Sequence, residues 1–181
     1  MLDILNVNLK YIFLTHCHGD HIGAMNELKQ KMGGKILISR DDYKGLTDES
    51  LSLTYYIEME NPDVEADSRV DDNDLIHIGD IEFKVISTPG HTKGGLCLFS
   101  EKYIMLFSGD TIFSGTWGRT DLPTGSLEDI MDSIINKILV LPEDTIVYPG
   151  HRKVNNDKRR KTNLFGIKKK RLLKKKRVKV I

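Results

Sequence analysis

The amino-acid sequence predicts an α/β domain built from layers of strands and helices. Short runs of β-branched and aromatic residues, of which Tyr11–Leu14 is the first, have the composition of buried strands. Two longer segments, residues 22–32 and 126–139, instead repeat apolar residues every three or four positions, as helices with one buried face do. At 181 residues the chain is long enough for one domain with a hydrophobic core.

In the first half of the chain, the first strand and helix are followed by a strand over residues 35–39. Residues 45–70 carry turn signals and no single period, so we expect a long loop with one turn of helix. Within this loop Tyr55, Tyr56 and Met59 either cover a site or pack in the core.

The second half predicts a hairpin, two further strands and a helix. Gly79 and Asp80 form the turn of the hairpin. The strands are Leu75–Ile78, Ile81–Ile86, Leu96–Phe99 and Tyr103–Phe107. The helix spans Ser126–Leu139, with Ser126 as its N-cap.

The net charge of +1 conceals a division of the chain into an acidic and a basic part. Residues 1–151 carry 12 basic against 25 acidic residues, whereas residues 152–181 carry 15 basic residues and one acidic residue. We therefore predict a domain over residues 1–165 and a basic, solvated, disordered tail over residues 166–181. Such a tail also suits nucleic acid, an anionic membrane surface or the acidic body itself, although it lacks an aromatic residue for base stacking.

No apolar run approaches the roughly 18 residues of a membrane span. The first residues have neither the basic nor the apolar region of a signal peptide, and two cysteines give no disulfide framework. A cytoplasmic protein is expected, and the sequence does not indicate its oligomeric state.

Five of the six histidines fall in three short motifs, which suggests metal binding. The motifs are Thr15-His16-Cys17-His18-Gly19-Asp20-His21, Thr88-Pro89-Gly90-His91-Thr92 and Tyr148-Pro149-Gly150-His151, with Ser108-Gly109-Asp110-Thr111 before the last. They supply seven candidate ligands: His16, His18, Asp20, His21, His91, Asp110 and His151. Any one of these alone would be read as a surface residue, but the set exceeds what one ion needs.

The spacing of the candidates suggests two ions. In extended backbone His16 and His18 point the same way and can reach one ion. Asp20 and His21 open a helix and point towards a second ion, and Asp110 at a strand end can bridge the two. Imidazole and carboxylate ligands suit zinc, iron or manganese.

Four residues near the motifs are predicted to be structural. Alternation turns Cys17 away from the ions, so we expect it to pack in the core, as we do for Cys97. His77 lies in the hairpin, outside any motif, where a surface or packing role is expected. Arg119, in the loop after Asp110, either holds that loop to a carboxylate, which we favour, or contacts substrate.

The order and spacing of these motifs resemble the metallo-β-lactamase superfamily, in its glyoxalase II-like branch of small metallohydrolases. The branch is indicated by Gly118-Arg119-Thr120-Asp121-Leu122-Pro123-Thr124-Gly125-Ser126 and by Tyr148-Pro149-Gly150-His151. The resemblance covers residues 4 to 151. It implies an αββα sandwich that lacks the first strands of its N-terminal sheet.

The resemblance also implies the ligand assignment and the catalytic residues. His16, His18 and His91 would hold the first metal, Asp20, His21 and His151 the second, and Asp110 would bridge them. The cofactor would be two divalent ions, zinc in the first place, with iron or manganese as alternatives. Asp20 would orient the hydroxide that bridges the ions.

The function implied is hydrolysis of a small-molecule thioester, as in hydroxyacylglutathione hydrolases. The alternative is a persulfide dioxygenase with one iron, because those enzymes share the His-x-His-x-Asp-His and Gly-Arg-Thr-Asp motifs. A nuclease ranks third. A true β-lactamase ranks last, because aspartate and not cysteine stands at position 110.

The chain departs from the family at its start. Members normally have several strands before the metal motif, whereas only fifteen residues precede His16 here. An N-terminally truncated member with an open sheet edge is therefore expected. A truncated, non-catalytic product that keeps the ligands is the alternative to all of these enzymes.

Overall fold

The computed structural model describes residues 8–151, so the predicted tail over residues 166–181 lies outside the described residues. The chain divides into two compact units, with the boundary between Val70 and Asp71. We call the described parts unit 1 (residues 8–70) and unit 2 (residues 71–151). Both combine strands with short helices, which confirms the predicted α/β class.

Unit 1 contains a three-stranded parallel sheet in the order β1-β2-β3. The strands are β1 (Tyr11–Phe13), β2 (Lys35–Ser39) and β3 (Ser68–Val70). Parallel neighbours need a crossover, and α1 (Gly19–Ile22) and α2 (Met25–Met32) supply it between β1 and β2. The core cluster of the unit consists of Ile12, Leu14, Cys17, Ile22, Met25, Ile36, Ile38 and Leu46.

The helix predicted over residues 22–32 begins earlier and is broken, so its predicted bounds are wrong. Its first turn is α1, and a break at Gly23 separates it from α2. A Cβ atom at position 23 would overlap the terminal methyl of Met59, so a larger residue there would displace that side chain. Glycine is also a poor helix former, which favours the break.

The loop predicted over residues 45–70 contains more structure than one helical turn. The helical turns are a 3₁₀ helix at Tyr43–Leu46, α3 (Glu49–Ser52) and a 3₁₀ helix at Thr54–Ile57. The Asp48 side chain accepts a hydrogen bond from the Ser50 N–H and caps α3 locally. Tyr55 and Tyr56 are 74% and 78% exposed, so core packing is wrong for both.

Unit 2 contains a five-stranded sheet in the order β10-β7-β6-β5-β4. The strands are β4 (Leu75–Ile78), β5 (Ile81–Ser87), β6 (Leu96–Ser100), β7 (Met105–Gly109) and β10 (Ile146–Pro149). Strands β4 to β7 pair antiparallel in sequence, whereas β10 pairs with β7 in parallel. A separate two-stranded hairpin joins β8 (Ile112–Phe113) and β9 (Thr116–Trp117).

The predicted hairpin and the strand after it are confirmed in unit 2. The strand predicted from Tyr103 begins only at Met105, because a turn with a positive φ at Ile104 precedes it. Strands β8, β9 and β10 were not predicted, since two are only two residues long and the third was seen only as part of a motif.

The last helix covers one face of this sheet. It consists of α4 (Leu127–Ser133) and a wider π turn over Ile134–Ile138, so the helix predicted over Ser126–Leu139 is confirmed in position. Ile130, Ile134 and Ile138 recur every four residues and are fully buried. They share a core cluster with residues of the sheet, namely Ile86, Cys97, Phe99, Leu106 and Val147.

Within residues 8–151 no helix is long and apolar enough to cross a membrane.

The N-cap of α4 gives a stability test. The Ser126 hydroxyl accepts a hydrogen bond from the Asp129 N–H at 3.2 Å. We expect Ser126→Ala to lower the free energy of unfolding by about 1 kcal/mol, because one helix N–H loses its acceptor. Ser126→Asp keeps an acceptor and is the matched control. Urea unfolding measures both, and an equal loss in the two variants would contradict the capping role.

Candidate metal centre

Four predicted ligands lie together in unit 1, and we call them the unit 1 donor set (His16, His18, Asp20 and His21). Strand β1 ends at Phe13, the chain bends at Thr15 and His16, and His18 has an extended conformation just before α1. The rings of His16 and His18 are perpendicular with centroids 4.8 Å apart, and the His16 and His21 centroids are 4.1 Å apart. His16 and His18 are thus neighbours, as their spacing predicts, and His21, predicted to point towards a second ion, lies at least as close to His16.

The members of this set differ in exposure. His16 and His18 are only 2% and 5% exposed. The Asp20 side chain is 47% exposed, and its carboxylate lies 3.7 Å from Nε2 of His21. One end of the set is thus buried and the other reaches water.

Three predicted ligands lie together in unit 2, and we call them the unit 2 donor set (His91, Asp110 and His151). Asp110 directly follows β7 and His151 follows β10 closely. Because these strands are parallel neighbours, their carboxyl ends meet at one edge of the sheet. The Gly150 N–H donates to the Gly109 carbonyl at 2.9 Å and fixes the two ends together.

The turn that carries His91 depends on Gly90. Gly90 has a φ of 136°, which favours glycine, and a Cβ atom there would overlap the backbone of Ile130. Its N–H donates to the Thr92 carbonyl, and its own carbonyl accepts from the Ser126 N–H. The turn is therefore packed directly on the start of α4, which places His91.

One carboxylate oxygen of Asp110 faces both histidines of the unit 2 set. Its Oδ2 lies 3.6 Å from Nε2 of His91 and 3.5 Å from Nε2 of His151. Two ligands of one tetrahedral zinc ion, each bonded at about 2.1 Å, are roughly 3.4 Å apart. The donor chemistry and the spacing in unit 2 therefore fit metal binding by this oxygen together with either histidine.

A backbone carbonyl fixes the ring of His91. Nδ1 of His91 lies 2.7 Å from the carbonyl oxygen of Arg119. A carbonyl only accepts, so Nδ1 carries the hydrogen and Nε2 keeps its lone pair for a metal. This role of Arg119 was not predicted, because a backbone contact leaves no mark on residue type.

The side chain of Arg119 has the predicted loop-holding role. Its guanidinium donates two hydrogen bonds of 2.8 Å to the carboxylate of Asp121. These hydrogen bonds lower the pKa of Asp121 to about 2. The preference for a carboxylate partner is thus confirmed.

The contact between two threonines of the motifs was also not predicted. The hydroxyls of Thr88 and Thr111 are 2.7 Å apart and buried, so they connect the segment before His91 with the segment after Asp110. The Sγ of Cys97 lies 3.4 Å from the Thr88 hydroxyl and belongs to the core cluster, as predicted. The threonine in each of these two motifs was the sequence feature from which the contact could have been predicted.

Cys17 and His77, for which packing or surface roles were predicted, have those roles in the structure. Cys17 is 3% exposed within the core cluster of unit 1. Burial and the nearby carboxylate of Asp42 raise the pKa of its thiol, so the neutral thiol persists. His77 is exposed and its Nε2 lies 3.1 Å from the Glu82 carboxylate.

Several curated proteins are similar in sequence. An uncharacterized protein of Aquifex aeolicus is 40% identical over 77% of this chain, and the probable metallo-hydrolase YqgX of Bacillus subtilis is 35% identical over 77%. Hydroxyacylglutathione hydrolase GloC of Haemophilus influenzae is 33% identical over 83% of the chain. The chain spans 66%, 67% and 72% of the lengths of these relatives.

Solved structures are similar in fold. The B3 metallo-beta-lactamase BLEG-1 has a TM-score of 0.83 at 32% identity, covering 92% of this chain and 81% of the other. ETHE1 from Myxococcus xanthus has a TM-score of 0.71 at 25% identity, covering 95% and 69%. A protein crystallised in a di-iron-bound form has a TM-score of 0.75 at 25% identity, covering 85% and 75%.

The family comparison agrees with the motifs and the fold. Residues 2–151 match the family model of the metallo-beta-lactamase superfamily. The chain therefore belongs to the metallo-beta-lactamase superfamily.

Proposed function

We propose that this chain is a metal-dependent hydrolase that binds two divalent ions and cleaves small thioesters. The observation that carries the proposal is the position of Asp110 Oδ2, 3.5–3.6 Å from the Nε2 atoms of two histidines. A shared carboxylate oxygen is what a two-metal hydrolytic site requires. The unit 1 donor set adds three imidazoles and a carboxylate.

The proposed ligand assignment divides the seven donors between two ions. The first ion takes His16, His18 and His91, the second takes Asp20, His21 and His151, and Asp110 binds both. Zinc is proposed first, since imidazole and carboxylate are its usual ligands at catalytic sites. The similarity to a di-iron-bound protein supports two ions and leaves iron as the alternative.

Each set of residues has a role in the proposed reaction. When bound, the ions would supply a water that is acidic near neutral pH and would polarise the substrate carbonyl. The Arg119 carbonyl holds His91 in the tautomer that can bind metal, and the exposed Asp20 carboxylate orients the attacking water and accepts its proton. The water oxygen bonds to the acyl carbon, the C–S bond breaks, and the thiolate leaves with the bonding pair.

The thioester class is supported by the relatives. Hydroxyacylglutathione hydrolase GloC covers 83% of this chain at 33% identity, and its name specifies a thioester of glutathione. A thiolate is also a good leaving group that needs no separate acid, which fits the few other titratable groups in the motifs. The proposed partner is accordingly a small molecule.

Two other substrates have support from similar structures. The similarity to BLEG-1 favours a β-lactam as the second candidate, although the motifs alone rank a β-lactamase last. The similarity to ETHE1, together with the Gly118–Asp121 motif, keeps the one-iron persulfide dioxygenase as the third. Metal count and substrate choice separate the three.

Metal content tests the site. We expect about two zinc or iron ions per purified chain by elemental analysis. His91→Ala should weaken metal binding by more than roughly 100-fold, because the loss of an outer-shell partner alone costs about 10–100-fold. His77→Ala, which removes an exposed histidine outside the set, is the matched control and should keep both ions. One iron per chain would support the dioxygenase, and a metal-free wild type would refute the site.

A substrate panel tests the reaction. The metal-loaded protein is expected to release thiol from S-lactoylglutathione, to leave a chromogenic cephalosporin intact and to consume no oxygen with glutathione persulfide. Removal of metal by a chelator should abolish thiol release, and added zinc should restore it. If the protein with its full metal content is inert towards several acyl thioesters, the thioester proposal is wrong.

A further inference from the structure

Cys17, between the first two candidate ligands, is held on the side of the chain opposite to them. Its side chain packs into the core cluster of unit 1, and Sγ donates to the Leu51 carbonyl at 3.7 Å. A Cβ atom on Gly45 would overlap the Cys17 side chain, so the glycine leaves the space that this thiol fills. Seating Cys17 in this way keeps His16 and His18 directed to the other side.

The backbone of Cys17 is fixed by Asp42. The Cys17 N–H donates to Oδ2 of Asp42 at 3.2 Å, across 25 residues of sequence. Asp42 is itself only 3% exposed. A buried carboxylate therefore holds the peptide unit between His16 and Cys17, in the segment that joins the two histidines.

Asp42 is anchored to the centre of the unit 1 sheet. Its N–H donates to the Ser39 hydroxyl at 3.1 Å, and its carbonyl accepts from the Gly45 N–H at 3.0 Å. Ser39 is the last residue of β2, which lies between β1 and β3. Asp42, in the turn three residues after β2 ends, is thus tied to that strand by hydrogen bonds that limit its movement, as a precise support for a site requires.

The burial of this carboxylate calls for an explanation. A neutral carbonyl would satisfy a backbone N–H, whereas a buried charge carries a desolvation cost of several kcal/mol. The hydrogen bond from the Cys17 N–H offsets part of this cost, and the same contact fixes the orientation of the peptide to which that N–H belongs.

We propose that Asp42 is a positioning residue that holds the imidazoles of His16 and His18 in the orientation for metal binding, through the Cys17 N–H between them. The inference rests on the proposed metal site and extends it to a residue outside the motifs. Without this acceptor the peptide between the histidines can rotate, and the two rings no longer converge. Outer-shell partners of this kind contribute about 10–100-fold to metal affinity.

The test compares metal affinity in three variants of the full chain. Asp42→Ala should weaken zinc binding by about 10–100-fold in a chelator competition. Asp42→Asn keeps an oxygen that can accept from Cys17 and should recover most of the affinity. Asp41→Asn removes the adjacent, exposed carboxylate and should bind zinc as the wild type does. The cobalt-substituted proteins add a spectroscopic readout, because altered ligand geometry in Asp42→Ala shifts the visible absorption bands.

A stability control distinguishes the positioning role of Asp42 from a general contribution to the stability of the fold. Ile38→Val removes one methylene from the same core cluster and leaves the hydrogen bond from Cys17 to Asp42 in place, so it should lower the apo-protein melting temperature while leaving zinc affinity and cobalt bands unchanged. If Asp42→Ala does not fold, Asp42→Glu, which moves the acceptor, is measured in its place, with the same loss expected. Wild-type affinity in the folded variant, or an equal loss in Ile38→Val, would overturn the inference. A wild type that binds no metal would instead refute the proposed function.

Discussion

Unit 2 is organised around the burial of one carboxylate between two imidazoles. Asp110 is only 9% exposed, and a buried carboxylate is costly unless positive charge or hydrogen bonds compensate it. Its placement uses the parallel pairing of β7 with β10 and the turn that Gly90 packs against Ile130. The core of the unit can therefore be understood as the support that holds three donors within 3.6 Å contacts.

Unit 1 holds its donor set in place in a different way, by burying the residue that lies between two of the donors. The rings of His16 and His18 lie 4.8 Å apart, whereas Cys17 between them belongs to the core cluster, which fixes the arrangement by burying the thiol. The Asp42 carboxylate and the space left by Gly45 then hold the segment in place. Packing on the apolar side thus determines the geometry on the polar side.

The sequence predicted the elements that rest on local signals and missed those that rest on tertiary contacts. Strand β2 and the hairpin of β4 and β5 were found because β-branched runs and a Gly-Asp turn are local patterns. Gly23, where the first helix breaks, lies against the side chain of Met59, 36 residues away, and the two-residue strands β8 and β9 are too short for any periodicity. The clustering of the donors within each unit was predictable from the motifs, whereas the Arg119 carbonyl and the Asp42 carboxylate act through backbone atoms, which sequence patterns do not reveal.

In the proposed assignment the two metal positions are unequal, and their inequality separates binding from reaction. The ligands of the first position, His16, His18 and His91, are all at most 6% exposed. Those of the second include Asp20 and His151, whose side chains are 47% and 50% exposed. Buried ligands are held rigidly and exchange little with solvent, whereas exposed ones leave room for water and substrate. The first position would accordingly maintain the site, and the second would be the one that water and the thioester reach.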